Sequence, residues 1–277
     1  MRVCTTIAEV RAARAPLGSL GFVPTMGALH DGHMSLVAAA AARSQAVAAS
    51  IFVNPLQFAP HEDLARYPRP IEADLARLEA AGVAFAFVPT VETLYPAGFA
   101  TRIEMGPIAD RLEGASRPGH FAGVATVVAK LFNIVRPTIA WFGHKDVQQT
   151  LVIRQMVRDL DMDVEVAIGP TVREADGLAL SSRNIYLDPA QRAEAPALHR
   201  GLIAAQAAFA AGERSAAALR RLVEAPIAAT SGRIDYVSVA DPVTLEELET
   251  VGEAGAILSL AVRFGLTRLI DNLRLGG

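Results

Sequence analysis

Cysteine is almost absent from this chain of 277 residues, in which Cys4 is the single one. One cysteine cannot form a disulfide within the chain, which fits a reducing compartment such as the cytoplasm. Long apolar runs are also lacking, since no segment approaches the roughly 20 apolar residues of a membrane span. The first ten residues, which include Arg2 and Glu9, lack the apolar core of a signal peptide. We therefore expect a cytoplasmic protein without a membrane partner.

An excess of charge of either sign is missing as well. The formal net charge is −3, so no basic surface argues for nucleic acid as a partner. Hydrophobic residues make up 52% of the chain, which is enough for a sizeable core. The length is typical of one large or two modest domains.

The first part of the chain alternates strand-like and helix-like runs. We predict strands at residues 20–24, 46–53, 83–88, 139–142 and 164–168. Helices are predicted between or after them at residues 34–45, 71–81, 124–135 and 147–160. This alternation is typical of parallel βαβ units with helices on both faces of the sheet.

The pattern changes after about residue 170. Residues 189–211 and 215–230 look helical, whereas residues 234–240 and 256–264 look like strands. We predict an α/β protein: a Rossmann-like doubly wound parallel sheet domain at residues 1–170, followed by a smaller α+β domain at residues 171–277. Gly169-Pro170 marks the boundary.

A loop with two histidines, His30-x-Gly32-His33, joins the first predicted strand to its helix. A helix N-terminus that follows a strand is a place where phosphate is stabilised. Two imidazoles there can donate hydrogen bonds to phosphate oxygens and to charge that develops as a phosphate bond breaks. The alternative is a surface turn with two solvated histidines.

Polar side chains also follow the second strand, where Asn54 and Gln57 lie at the sheet edge that binds ligands. Gln57 can both donate and accept hydrogen bonds, which suits a hydroxyl or carboxylate of a small substrate. The alternative is a polar turn capped by Pro55.

A second strand–loop–helix connection carries Gly143, Lys145, Asp146 and Gln149. Lys145 can neutralise phosphate oxygens, and Asp146 can hold a ribose hydroxyl or cap the helix. Gln149 lies one turn beyond Lys145 on the same side. The alternative is a solvated helix start.

Residues 173–184 form a polar segment that ends in Ser181, Ser182 and Arg183, followed by Asn184. Arginine gives bidentate phosphate contacts, and the hydroxyls add single hydrogen bonds, so the segment could close on ATP. The alternative is a domain linker with a capping serine. Residues 117–124 form one more unusual stretch, in which His120 is either catalytic or a structural helix cap; we favour structure.

With these residues in place, the chain resembles the pantoate–β-alanine ligase family of the HIGH-motif nucleotidyl-transfer superfamily. Five motifs occur in the family's order, at residues 24–33, 52–58, 119–124, 142–149 and 173–184. The resemblance extends to Arg268-Leu269-Ile270-Asp271-Asn272. It implies that ATP and (R)-pantoate give pantoyl adenylate and pyrophosphate, and that β-alanine then attacks the adenylate to give pantothenate and AMP.

The resemblance also implies roles for individual residues. It assigns ATP binding to one loop, formed by Met26, Gly27, Ala28, Leu29, His30, Asp31, Gly32 and His33. It assigns further ATP contacts to Gly143, His144, Lys145, Asp146, Val172, Leu180, Ser181, Ser182 and Arg183. Gln57 and Gln149 are expected to bind pantoate. The catalytic groups implied are His33, as proton donor, together with His30, Lys145 and Arg183.

Mg²⁺ is expected with ATP, held largely by phosphate oxygens, and no protein ligand to it is assigned. The family further implies a homodimer formed through the first domain. This chain departs from the family pattern at His144 (usually Glu), Ala122 (often Arg), Leu180 (usually Met) and in the stretch 263–266, where the family is more polar. No departure removes a residue assigned to catalysis.

Two other readings stay open from the sequence. A different HIGH-motif nucleotidylyltransferase would need a basic pocket for a substrate phosphate, whereas Gln57 and Gln149 are neutral. A non-catalytic ATP-binding protein should have lost His33, Lys145 or Arg183, and all three are present.

Overall fold

The computed structural model describes residues 1–59 and 62–276 and divides the chain into two compact units. The first unit comprises Met1–His144 and Gln148–Pro170. The second comprises Lys145–Val147 and the residues from Thr171 onward. Each unit has its own hydrophobic core, and each is described by itself below.

A parallel six-stranded sheet forms the centre of the first unit. Its strands are β1 (Arg2–Cys4), β2 (Leu20–Thr25), β3 (Ala46–Ile51), β4 (Phe85–Phe87), β5 (Ile139–Gly143) and β6 (Glu165–Gly169). The strand order is β1-β4-β3-β2-β5-β6, and every pairing is parallel. The predicted doubly wound sheet is therefore confirmed.

Helices cover both faces of this sheet. They are α1 (Ile7–Arg14), α2 (Asp31–Arg43), α3 (Ile71–Ala80), α4 (Val91–Leu94), α5 (Glu113–Ser116), α6 (His120–Val135) and α7 (Val147–Asp159). Apolar side chains of α2 and α3 pack on one face of the sheet, whereas those of α1, α6 and α7 pack on the other. Among the described residues, we find no helix with the length and apolar character needed to cross a bilayer.

The chain reverses direction across the sheet between β2 and β5. From β2 the chain runs outward through β3 and β4, whereas from β5 it runs the other way to β6. In open α/β sheets, ligands bind in the crevice outside the carboxyl ends of the strands at such a switch point. The loop after β2, the turn after β3 and the end of β5 therefore lie at the edge where a ligand is expected.

A three-stranded antiparallel sheet with helices forms the second unit. Its elements are α8 (Pro189–Glu194), α9 (Ala197–Ala210), α10 (Ala216–Ile227), β7 (Arg233–Ala240), β8 (Ala256–Phe264) and β9 (Thr267–Leu275). The strand order is β7-β8-β9. Apolar residues of α9 and α10 form the core of the unit with the sheet.

Several predicted elements were wrong in detail. The helix predicted at residues 189–211 is two helices, because Pro196 between them has no N–H to donate to the carbonyl of Arg192 and its ring clashes with that carbonyl. The helix predicted from residue 124 begins at His120, one turn earlier. The strand predicted to residue 53 ends at Ile51. Strands β1 and β9 and helix α1 were not predicted, although Thr6 and Glu9 form a capping box at the start of α1.

Candidate active site

The histidine loop after β2 is shaped by a buried aspartate from α3. Gly27 and Ala28 both have positive φ, +84° and +50°. The carboxylate of Asp74, whose residue is 1% exposed, accepts the N–H groups of Ala28 and Leu29, each at 2.8 Å. A Cβ atom at position 27 would lie 2.9 Å from Asp74 Oδ2. Glycine is therefore required on two counts, the left-handed backbone and the close approach of the carboxylate.

Arg77, one turn further along α3, holds the other side of the same loop. Its guanidinium donates to the carbonyl of Leu29 at 3.0 Å and pairs with the carboxylate of Asp31, the first residue of α2. The N–H of Gly27 donates to Thr25 Oγ1 at 3.1 Å. The N–H groups of Gly27, Ala28 and Leu29 are thus all engaged within the protein, and these bonds fix the shape of the loop.

The two histidines lie at the beginning of α2, with His30 at the N-cap and His33 three residues later. Their ring centroids are 4.0 Å apart. The N–H of His30 donates to Nδ1 of His33 at 3.3 Å. A ring nitrogen that accepts a hydrogen bond carries no proton, so the proton of the neutral His33 ring is on Nε2. The loop therefore presents His33 as an Nε2–H donor.

Gln57 lies in the turn after β3, and its side chain contacts the histidine loop. The residue is buried, and its Nε2 lies 3.0 Å from Sδ of Met26. Asn54, at 1% exposure, donates from Nδ2 to Oε1 of Gln57 at 3.0 Å. The structure thus brings together Met26 and Gln57, two residues assigned to different ligands.

His120 supports this turn from the start of α6. Its Nδ1 lies 2.8 Å from the carbonyl oxygen of Gln57, and its Nε2 lies 3.1 Å from Nη1 of Arg117. Burial and then the Arg117 charge lower the pKa of His120 to about 4. The ring is therefore neutral at neutral pH, with Nδ1–H as donor and Nε2 as acceptor. Both ring nitrogens are engaged within the protein, which agrees with the interpretation of His120 as a structural residue.

Arg117 itself is held by a bidentate ion pair with Glu62, at 2.5 Å from Nε and 2.9 Å from Nη2. Burial alone would raise the pKa of Glu62, but the hydrogen bonds and charge of Arg117 lower it below its usual value. Both side chains are 15% exposed. Arg117 therefore keeps its charge compensated while it donates to the His120 ring.

Two adjacent glutamines at the start of α7 have different surroundings. The side chain of Gln148 is buried, donates to the carbonyls of Ile108 and Arg111, and accepts the N–H of Glu113. The side chain of Gln149 is partly buried, and we find no hydrogen bond from it to another of the described residues. The amide of Gln148 is thus engaged within the protein, whereas that of Gln149 bonds to none of the residues that the structure describes.

The end of β5 leads into residues of both units. Gly143 closes β5 and His144 begins a 3-10 turn in the first unit, whereas Lys145 and Asp146 are grouped with the second. Nζ of Lys145 lies 3.7 Å from Oδ1 of Asp146. Within the second unit, Asn272 donates from Nδ2 to the carbonyl of Lys145 at 2.8 Å. This hydrogen bond fixes the backbone that carries the lysine.

Residues 172–180 form a hairpin that leads to the Ser-Ser-Arg segment. Leu180 donates its N–H to the carbonyl of Val172 at 3.0 Å, and Glu174 donates to Leu178 at 2.8 Å. Ser181 then caps a 3-10 turn, Ser182–Tyr186, by accepting the N–H of Arg183 at 3.2 Å. Ser182 and Arg183 therefore begin a short, locally capped turn.

A second buried aspartate anchors this hairpin. Asp271, at 2% exposure, accepts two hydrogen bonds from the guanidinium of Arg173, at 2.6 and 2.9 Å. Arg173 also donates to the carbonyl of Gly177 at 3.1 Å, across the turn of the hairpin. The pair thus ties the hairpin to β9.

Sequence reasoning missed the residues that position the site. Asp74, Arg77, Tyr95, Asp271 and Asn272 were given no role. A signal existed for Asp74, because it falls within the apolar stripe of α3 that includes Ile71, Leu75 and Leu78. A carboxylate on the buried face of a helix needs hydrogen-bond donors, and only the fold shows that these are backbone N–H groups of a distant loop.

A doubly wound parallel sheet with a histidine loop at its switch point defines a nucleotide-binding α/β class of protein. The family model described as pantoate-beta-alanine ligase matches residues 2–274. A pantothenate synthetase from Chloroflexus aggregans is 61% identical over 274 residues, covering 98% of this chain and 99% of the relative. The chain belongs to the pantoate–β-alanine ligase family and is an enzyme, as the sequence motifs predicted.

Solved structures agree with this assignment. The crystal structure of pantothenate synthetase from Thermus thermophilus matches with a TM-score of 0.96 and 52% identity, covering 100% of both chains. A pantoate-beta-alanine ligase from Francisella tularensis, described as complexed with beta-gamma ATP and beta-alanine, matches with a TM-score of 0.81 and 33% identity. That match covers 99% of this chain and 97% of the other.

Proposed function

We propose that this enzyme carries out the ATP-dependent condensation of (R)-pantoate with β-alanine in two steps, through a pantoyl adenylate. A carboxylate oxygen of pantoate attacks the α-phosphorus of ATP, and the bond to the bridging oxygen breaks, releasing pyrophosphate. The amine of β-alanine then attacks the acyl carbon and loses a proton, and AMP leaves with the carboxylate oxygen. Adenylation is needed because an unactivated carboxylate would have to expel oxide.

The His33 ring carries this proposal. Its Nδ1 accepts the N–H of His30 at 3.3 Å, which places the proton of the neutral ring on Nε2, at the N-terminal end of α2. A fixed donor at a helix N-terminus stabilises the negative charge that develops as pyrophosphate leaves. This is the step for which the family resemblance assigns His33 as proton donor, with His30 beside it on phosphate.

The first unit supplies the pantoate contacts in this proposal. Gln57 and Gln149 bind the hydroxyl and carboxylate oxygens of pantoate with neutral amides. A nucleotidylyltransferase that takes a phosphorylated substrate would need cationic groups in those places. The beta-alanine and ATP named for the Francisella structure support the same pair of substrates here.

In this proposal the nucleotide is bound by the residues that follow β5 and by the segment from Val172 to Arg183. Lys145 contacts phosphate and Asp146 the ribose, and Val172 contacts adenine through its backbone. Leu180, Ser181, Ser182 and Arg183 bind the phosphates. In this assignment residues 1–170 form the nucleotide- and pantoate-binding domain, and residues 171–277 form the smaller lid domain.

Mg²⁺ enters with ATP and neutralises phosphate charge when bound. Among the residues that the structure describes, there is no group of three or more histidine, cysteine, aspartate or glutamate side chains that could hold a metal ion. We expect the Mg²⁺ ion to be coordinated mainly by phosphate oxygens and water. The enzyme is further proposed to work in the cytoplasm as a homodimer formed through its first domain.

The adenylate intermediate is tested by following a carboxylate oxygen of pantoate into AMP. Pantoate labelled with ¹⁸O in its carboxylate is incubated with ATP, Mg²⁺ and enzyme, first without and then with β-alanine. An adenylate predicts pantoate-dependent pyrophosphate release before β-alanine is added, and one ¹⁸O in AMP afterwards. Unlabelled AMP would rule the intermediate out, and no release without β-alanine would contradict the two-step order.

The role of His33 is tested by His33→Ala. We expect pyrophosphate release to fall about 10²- to 10³-fold while ATP affinity changes only a few-fold. The control is Arg43→Ala at the other end of α2, where an exposed pair with Glu165 is lost. Equal losses of adenylate formation and ATP binding in His33→Ala would show that the ring only binds.

A further inference from the structure

The orientation of the Asn54 amide is fixed by four hydrogen bonds. Its Oδ1 accepts the N–H of Leu56 at 3.3 Å and the hydroxyl of Tyr95 at 2.8 Å. Its Nδ2 donates to the carbonyl of Gly123 at 3.1 Å and to Oε1 of Gln57 at 3.0 Å. A backbone N–H can only donate and a carbonyl can only accept, so a flipped amide would oppose donor to donor and acceptor to acceptor.

The orientation of Asn54 determines that of Gln57. Because Nδ2 of Asn54 donates to Gln57, the oxygen of the Gln57 amide faces Asn54 and the NH₂ group faces away, toward Met26. One of the two N–H bonds of this NH₂ group is directed to Met26, so Gln57 offers one further N–H donor. A free glutamine offers both ends of its amide, whereas this one selects a ligand atom that accepts.

Tyr95 is the last residue in this series of hydrogen bonds, and it lies outside the proposed site. It follows α4, and its ring lies 5.0 Å from that of Phe99 and 6.0 Å from that of Phe52. Burial raises the pKa of Tyr95, so its hydroxyl keeps its proton and can donate. Its hydrogen bond to Asn54 is shorter than the one from Leu56, 2.8 against 3.3 Å.

We propose that Tyr95 is a positioning residue for pantoate, which acts through Asn54 to keep the NH₂ end of Gln57 turned toward an acceptor oxygen of the substrate. The proposal rests on the assignment of Gln57 to pantoate. The hydroxyl of Tyr95 bonds to Asn54, and Asn54 in turn bonds to Gln57. The effect of Tyr95 should therefore be confined to one substrate.

The experiment compares Michaelis constants for the three substrates in four variants. Tyr95→Phe removes one hydroxyl and keeps the ring packing. We expect it to raise the KM for pantoate about 3- to 10-fold, the loss of one hydrogen bond, with the KM values for ATP and β-alanine unchanged. The matched control is Thr93→Ala, which removes a hydroxyl from α4 that bonds to Thr90 and not to Asn54. Gln57→Ala and the double variant complete the cycle.

The possible outcomes distinguish the positioning role of Tyr95 from the assignment of Gln57 to pantoate. If Tyr95→Phe and Gln57→Ala each raise the pantoate KM, and Tyr95→Phe adds nothing further in the Gln57→Ala background, the positioning role is established. If Tyr95→Phe raises the KM values of all three substrates equally, or leaves that of pantoate unchanged while Gln57→Ala raises it, Tyr95 is structural and the inference fails. If Gln57→Ala itself leaves the pantoate KM unchanged, the assignment of Gln57 is what fails.

Discussion

The histidine loop of the first unit and the hairpin of the second are both irregular segments held by a buried aspartate, but the two aspartates hold different groups. Asp74 accepts two backbone N–H groups, from Ala28 and Leu29. Asp271 accepts two N–H groups of one side chain, that of Arg173. The first anchor fixes backbone dihedral angles directly, and the second fixes a side chain on which the backbone depends.

This difference agrees with the roles proposed for the two segments. The proposed role of His33 requires a ring nitrogen positioned to within tenths of an ångström, and a backbone anchor beside the helix start supplies that precision. Arg183 lies in the 3-10 turn that follows the hairpin, and its long side chain could adjust to the phosphate that we propose it binds. A charge pair at its base keeps the hairpin attached without fixing every dihedral angle.

The largest effect is expected from Asp271→Ala. It leaves the Arg173 guanidinium, whose side chain is 19% exposed, without its carboxylate. Removal of one partner from a buried ion pair costs about 3–5 kcal/mol in the free energy of unfolding. Chemical denaturation measures this loss.

The control for Asp271 is Glu247→Ala, which breaks an exposed pair with Arg220 and should cost at most about 1 kcal/mol. The double variant Arg173→Met with Asp271→Leu removes both charges and should recover most of the stability. Failure of that recovery would mean that Asp271 is needed for its bond to the N–H of Asn272 rather than for the pair.

A somewhat smaller loss is expected from Asp74→Ala, about 2–4 kcal/mol, because two buried N–H groups lose their acceptor. A measurement of activity tests the comparison of the two aspartates further. Since Asp74 shapes the loop that aims His33, pantoate-dependent pyrophosphate release should fall at least tenfold in protein that is still folded.

Glu72→Ala, on the exposed side of the same helix, is the control for Asp74 and should change neither stability nor activity. Unchanged pyrophosphate release in Asp74→Ala would show that the loop keeps its shape without the anchor. The proposed contrast between the two aspartates would then be lost.

The groups proposed to contact substrates were easier to find from the sequence than the groups that hold them in place. Gly27, His30, His33 and the polar turn at Gln57 stand at strand ends, where local pattern predicts a ligand edge. Their anchors come from elsewhere in the chain: Asp74 is 45 residues from Leu29. Such pairings depend on how helices pack on the sheet, and no local periodicity contains that information.

The same limit explains the errors in the fold. β1 has three residues and lies at the sheet edge, where pairing with β4 gives it its structure. β9 interrupts the alternation of apolar and polar residues at Leu269-Ile270 and Asp271-Asn272, so its sequence does not stand out as a strand, although β8 pairs with it along its whole length. The Pro196 break was readable from the sequence, since proline inside a helix interrupts it.

Acid should destabilise the two units unequally, and this effect is the smallest of the three. Burial, then Arg117, lowers the pKa of His120 to about 4, whereas the carboxylates of Glu62 and Glu113 act in the opposite direction. The unfolded chain, with an ordinary histidine pKa of about 6.5, binds more protons than the folded chain between pH 4 and 6.5. His120 therefore contributes stability above about pH 6.5 that is lost progressively as the pH falls toward 4.

We expect this loss to be on the order of 2 kcal/mol in the free energy of unfolding between pH 7 and 4. In His120→Gln that part of the slope should disappear, because an amide can replace both hydrogen bonds without titrating. The second unit contains a parallel group, His199 of α9, whose pKa is also lowered by burial and then by the charge of Arg173. We expect His199→Gln to keep most of the wild-type slope, and an equal flattening in both variants would show that acid does not distinguish the two units.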